Sequence, residues 1–102
     1  MKAYNVVRMR VKPGREQEFL DLNRKPGHEV KAGLRKAVLI KTAERTYCFI
    51  GEWDSFQALA DARRDMVEDL DRLRPLLEEL GGGLGVTDAV SGELVAENVI
   101  RE

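Results

Sequence analysis

The chain has 102 residues, 43% of them hydrophobic and 34% charged, a composition that suits one globular domain over residues 1–102 and argues against disorder. Seventeen basic residues against eighteen acidic ones leave a net charge of −1, so no global field draws in nucleic acid or anionic lipid. One cysteine, Cys48, excludes an internal disulfide framework, and charges interrupt every apolar run of the opening MKAYNVVRMRVKPG, so a soluble cytoplasmic protein without a membrane partner is expected.

From Ala3 to Val11 a β-branched-rich stretch alternates as a strand does. Asn5, Val7, Met9 and Val11 share one face, expected to pack on helices, while Tyr4, Val6, Arg8 and Arg10 share the other. Pro13-Gly14 ends the strand by removing a backbone donor and allowing a tight turn. REQEFLDLNRK, from Arg15, then places acids in its first turn and bases in its last, which suits a helix dipole, and Pro26-Gly27 stops it. His28 to Gly33 is polar and ambiguous, reading as a loop that can hold a short helical turn.

LRKAVLIKT and TYCFIGEW predict a second and a third strand, joined across Ala43-Glu44-Arg45. The third strand puts Tyr47, Phe49, Gly51 and Trp53 on one face and Thr46, Cys48, Ile50 and Glu52 on the other. Both faces are largely apolar, as in a central strand. Asp54-Ser55 offers N-cap chemistry for a long helical region carrying Phe56, Leu59, Met66, Leu70, Leu73, Leu77 and Leu80 as a stripe. Pro75 predicts a kink or restart near Leu73, and Gly81-Gly82-Gly83 ends the helix. Asp88 to Gly92 reads as a turn and GELVAENVI as the last strand.

The predicted plan is therefore α+β and ferredoxin-like, βαββαβ: a four-stranded antiparallel sheet with two helices on one face. The other face is bare and carries apolar side chains from central strands. A second copy, packed face to face, is the expected cover, making a homodimer through the open sheet face.

Chemistry-bearing motifs are few. GGGLG follows a helix, whereas phosphate cradles precede one, and CxxC, HExxH and G-x-S-x-G patterns are absent. His28, the only histidine, is a candidate general base on its loop, or simply a solvated or capping side chain. Trp53, Phe49 and Tyr47 form an aromatic row that suits a planar ligand wall or core packing beneath the second helix. Asn5 lies on the neighbouring strand. Cys48 faces away from that row and reads as an inert small hydrophobe. Arg8 and Arg10 are candidates for anion binding or for pairing with carboxylates such as Glu52.

Two segments carry a resemblance. YNVVRMRVKPGREQEFLDL and YCFIGEWDSFQALAD resemble the first strand with its Pro-Gly helix entry, and the strand-end tryptophan with its capped helix, of the antibiotic-biosynthesis-monooxygenase superfamily. The likeness covers nearly the whole chain in element order, through loose motifs. It implies a dimeric α+β barrel with a pocket between sheet and helices. It also implies oxygen activation with no metal, flavin or haem cofactor, the electrons coming from a deprotonated aromatic substrate, typically a polycyclic phenol. Trp53 matches the strand-end tryptophan; Phe49 and Gly51 stand where a polar partner is expected. The haem-degrading branch has Trp and His on the second helix, where this chain has Leu59 and Asp69, so the resemblance does not extend to haem oxygenation. The functional expectation is a monooxygenase-like protein acting on or binding a hydrophobic aromatic small molecule, with His28 catalytic and Trp53, Phe49, Tyr47 and Asn5 binding. The alternative is a non-catalytic dimeric ligand-binding or stress-associated domain.

Overall fold

The protein is described here by a computed structural model, which covers residues 1–24 and 31–100. Strand β1 (Ala3–Val11) runs through the middle of an antiparallel sheet and is followed by helix α1 (Glu16–Arg24). Strands β2 (Leu34–Ala43) and β3 (Thr46–Trp53) form a hairpin whose β3 arm pairs with β1, from Ala3 opposite Trp53 to Arg10 opposite Thr46. The turn between them has no glycine. Arg45 takes the left-handed conformation at φ 54°, and its guanidinium is held by the Val11 carbonyl at 2.9 Å and the Glu78 carboxylate at 2.7 Å.

Ser55 caps the next helix as its chemistry predicts, its hydroxyl oxygen accepting the Ala58 N–H at 3.0 Å. The expected long helical region, with its break near Leu73, is three pieces: α2 (Phe56–Asp61), α3 (Arg63–Leu73) and one 3-10 turn over Arg74–Leu76. Pro75 stands inside that turn, so the helix ends where a missing donor and a ring clash require. Beyond it the helical stripe does not continue to Leu80. Leu77 and Glu78 form a two-residue strand, β4, opposite Val11 and Arg10. Leu76 and Leu77 are both buried in the core.

The fourth position of the plan is also shifted in sequence. Strand β5 (Thr87–Glu93) occupies it, pairing with β1 from Ala3–Glu93 to Met9–Thr87. Of residues 92–100, expected as the last strand, only Gly92 and Glu93 lie in it and 94–100 carry no strand; the Leu94 N–H to Lys2 carbonyl bond, 2.8 Å, is where pairing stops. Asp88, Ser91 and Gly92 look like turn residues, but β1 presents a row of backbone donors and acceptors that must be paired, and that demand overrides local preference. The four expected strands are thus present as β1, β2, β3 and β5, with β4 as a short fifth lying end to end with β5 along the same edge of β1.

The helices pack on one sheet face and divide the core into two clusters. Met9, Val11, Phe19, Tyr47, Leu76 and Leu77 gather at one end. Ala3, Trp53, Leu59 and Ala62 gather at the other, with Leu34, Ala58 and Met66 around them. Gly33 joins the β2 entry to this second cluster: it has φ +83°, and a Cβ there would lie 2.5 Å from that of Ala58, so only glycine fits. On the opposite sheet face Val38, Ile50, Val6 and Val90 are neighbours in register across four strands. No described helix covers that row, and Val90 is 64% exposed.

Candidate functional site

Asn5 lies on the helix-facing side of β1, directly opposite Gly51 of β3, and is buried. Two residues further along β3 is Trp53, wholly buried beneath α2 among Ala3, Leu59 and Ala62. Its indole Nε1–H donates to Asn5 Oδ1 at 2.8 Å. Indole nitrogen is a donor only, so the oxygen of the amide must face the ring and the NH₂ must point away. That NH₂ finds the Met66 thioether at 3.8 Å, a weak acceptor for a group with two N–H bonds. Gly51 permits the arrangement. A Cβ at this position would overlap Asn5 Oδ1 and come within 2.9 Å of Trp53 Nε1 and 3.2 Å of the Phe49 ring. The missing side chain, rather than a polar one, is what the Asn5–Trp53 bond needs from this strand.

Tyr47, Phe49 and Trp53 share one face, as alternation predicts, but only Trp53 bonds Asn5; Phe49 packs on the first core cluster and brings its ring edge toward Gly51. Tyr47 lies near the other end of β3, in the first core cluster, its ring 5.0 Å from that of Phe19. Its hydroxyl donates to Glu16 Oε2, at the start of α1, and the same oxygen takes the Lys41 ammonium at 3.1 Å. The Lys41 nitrogen also stands 5.7 Å from the Tyr47 ring centroid. The Tyr47 hydroxyl, then Lys41, hold the Glu16 carboxyl below its ordinary value. The bond to Glu16, followed by burial, raises the Tyr47 phenol, and Glu16 likewise raises Lys41. Tyr47 is thus a hydrogen-bond donor in this network.

An open groove of about 630 Å³ adjoins these residues, between α1 and the β2–β3 hairpin. His28, the candidate base, lies outside the described residues. Cys48 is half-buried on the other sheet face, opposite Arg8 and Ile40. Arg8 pairs with Asp88 at 3.2 Å and Arg10 with Glu78 at 3.9 Å, whereas Glu52, the partner suggested by sequence, takes Lys2 at 3.2 Å. The difference follows from register: β5 and β4 bring their acids to β1, while Glu52 is level with Tyr4.

Sequence reasoning set Asn5, Phe49 and Trp53 on the helix-facing side of neighbouring strands, but did not foresee Gly51 and Met66 around Asn5, nor Glu16 and Lys41 as partners of Tyr47. Gly51 carried a signal, since glycine inside a strand marks close approach of another group. Glu16 carried none, because an acid in a first helical turn is already accounted for by the dipole.

The likeness of this architecture to solved structures is close in shape and distant in sequence. A provisionally named antibiotic biosynthesis monooxygenase from Chloroflexus aurantiacus matches 99% of this chain and 100% of its own at TM-score 0.70 and 15% identity. The ActVA-Orf6 monooxygenase of Streptomyces coelicolor, solved with nanaomycin D, matches 97% of this chain and 92% of its own at TM-score 0.68 and 20% identity. A dimeric ferredoxin-like protein from an uncultured marine organism matches 98% and 93% at TM-score 0.74 and 16% identity. No protein-family model and no curated protein matches the sequence. The chain thus has the ferredoxin-like α+β fold shared with structures named antibiotic biosynthesis monooxygenases, and the resemblance read from its sequence holds at the level of that fold.

Proposed function

We propose that this chain is a monooxygenase-like protein that takes a hydrophobic aromatic small molecule between its helices and sheet, beside Asn5, Phe49 and Trp53. The Asn5 carboxamide carries the reading. It is buried, turned by Trp53 so that its donors face away from the ring, and matched only to a thioether among the described residues. A carbonyl or phenolate oxygen is a far better acceptor, and methionine is the side chain most able to move aside. Phe49 brings an apolar ring edge to Gly51, opposite Asn5, Trp53 holds the amide oxygen, and Tyr47 bounds the same strand face further along.

In this reading a phenolic substrate loses its proton and the anion gives electrons to dioxygen. One oxygen atom enters the product as a quinone carbonyl and the other leaves as water, so no separate reductant is required. Asn5 Nδ2 stabilises the oxyanion, and His28 is the base we assign. No metal, flavin or haem enters the reaction as the resemblance frames it. The complex of ActVA-Orf6 with nanaomycin D supports small-molecule binding on this fold, and the monooxygenase names among the neighbours favour this reading over a non-catalytic module. The partner we assign is a second copy across the open sheet face, and the compartment is the cytoplasm, consistent with a free Cys48.

The test is oxygen uptake with hydroxylated polycyclic aromatics in chelator-treated, flavin-free buffer. Turnover in the parent chain that falls roughly a hundredfold in Asn5→Leu supports the reading, by analogy with loss of one oxyanion donor. Equal turnover in both chains removes the role of Asn5. Ligand binding with no oxygen uptake leaves the binding module as the function.

A further inference from the structure

The groove beside α1 is separate from the Asn5–Trp53 centre and has its own chemistry. Leu20, Leu39 and the Tyr47 ring give it an apolar floor, while Glu16, Lys41 and Arg24 supply its charges. Glu16 is occupied: one of its oxygens serves both the Tyr47 hydroxyl and the Lys41 ammonium. Lys41 remains 54% exposed and has three N–H donors, of which Glu16 takes one. Arg24 makes no ion pair among the described residues. Eight residue steps, about 12 Å of helix, separate Glu16 from Arg24. The groove is therefore elongated, with an engaged polar network at one end, the Arg24 guanidinium at the other and apolar side chains between. Among its described lining residues, two cations stand against one carboxylate.

We propose that this groove binds a small amphipathic monoanion, an apolar body bearing one carboxylate, with the carboxylate on Arg24 and the body along Leu20 and Leu39 toward Tyr47. A planar guanidinium grips a carboxylate with two parallel hydrogen bonds, which gives the Arg24 end its selectivity. The volume falls within the usual range of small-molecule sites, roughly 300–1,000 Å³. With Lys41 already paired to Glu16 at the Tyr47 end, the charge left over is that of Arg24, which matches one carboxylate. This site does not depend on the monooxygenase-like reading.

The probe is decanoate, with decanol as its neutral counterpart, followed by methyl and amide NMR on the full chain. Decanoate is expected to shift Leu20, Leu39 and Gln17 resonances, to bind at least about tenfold more tightly than decanol, and to lose about tenfold in affinity in Arg24→Gln. Arg24 is exposed at a helix end, so this variant keeps the fold; Leu39→Glu, which puts a charge in the floor, is expected to abolish binding. Equal affinity for decanol, unchanged affinity in Arg24→Gln, or shifts confined to Val38, Ile40 and Val90 of the open sheet face would each overturn the proposal.

Discussion

At the scale of single residues the structure turns on a few polar groups whose partners are dictated by donor and acceptor chemistry. Gly51 is one side of that account. Gly51→Ala would drive a methyl group into Asn5 Oδ1 and the Trp53 indole, both held within the sheet-helix interface. Overpacking of this kind costs about 1–3 kcal/mol, read as a lower urea midpoint with an unchanged slope. A variant as stable as the parent would show that the Asn5–Trp53 bond is not tightly held. The Glu16–Lys41–Tyr47 network makes a second prediction, in pH. The Glu16 pKa is lowered from 4.5 in the folded chain, so its bonds stabilise above 4.5 and are lost as pH falls through the lowered folded value. The Tyr47 and Lys41 pKa values are raised from 10.0 and 10.5, so their contribution is complete below 10.0 and is lost as pH rises through the raised values. Between those limits the network is intact. Glu16→Gln should flatten both the acid and the alkaline limbs of denaturation midpoint against pH, and identical profiles would contradict the assignment.

At the scale of elements, Leu77 shows how tertiary demand overrides local pattern. It continues the helical spacing of Leu70 and Leu73, yet it leaves the helix and pairs with Val11 in β4, with its side chain buried. Leu77→Ala is expected to cost about 2–5 kcal/mol by deleting buried methyl groups, measured by chemical denaturation. A loss below 1 kcal/mol would fit an exposed helical leucine instead. The strands β1 to β3 were legible because their alternation, turn residues and lengths all agree with the sheet that forms. The break at Pro75 was legible because a missing N–H acts locally. The position of β5 was not, since its strand status comes from the unpaired edge of β1 and not from its own Asp, Ser and Gly residues. In the candidate site, face-sharing was readable for Asn5, Phe49 and Trp53. The partners of Tyr47 were not, because Glu16 and Lys41 reach it from other elements and only the three-dimensional register brings them together.

At the scale of the whole molecule, the helices protect one sheet face and leave Val6, Val38, Ile40, Ile50 and Val90 on the other. With Ile40 44% and Val90 64% exposed, this apolar surface is what a second copy would cover. Light scattering at micromolar concentration should give about twice the 11.5 kDa chain mass, and Val38→Glu combined with Val90→Glu should reduce it to the monomer. A monomeric parent chain at high concentration would contradict the proposed pairing.

The central claim is that an aromatic ligand meets Asn5 beside Trp53. Trp53 is the chain's one tryptophan and is wholly buried, so its emission reports on this centre alone. Titration with a panel of hydroxylated polycyclic aromatics, in the parent chain and in Asn5→Leu, is the most direct measurement. The account predicts saturable quenching in the parent, with affinity at least about tenfold weaker in the variant through loss of one hydrogen bond to the ligand oxygen. Absence of any quenching or spectral shift up to the solubility limit, or equal affinity in both chains, would contradict it and leave Trp53 as core.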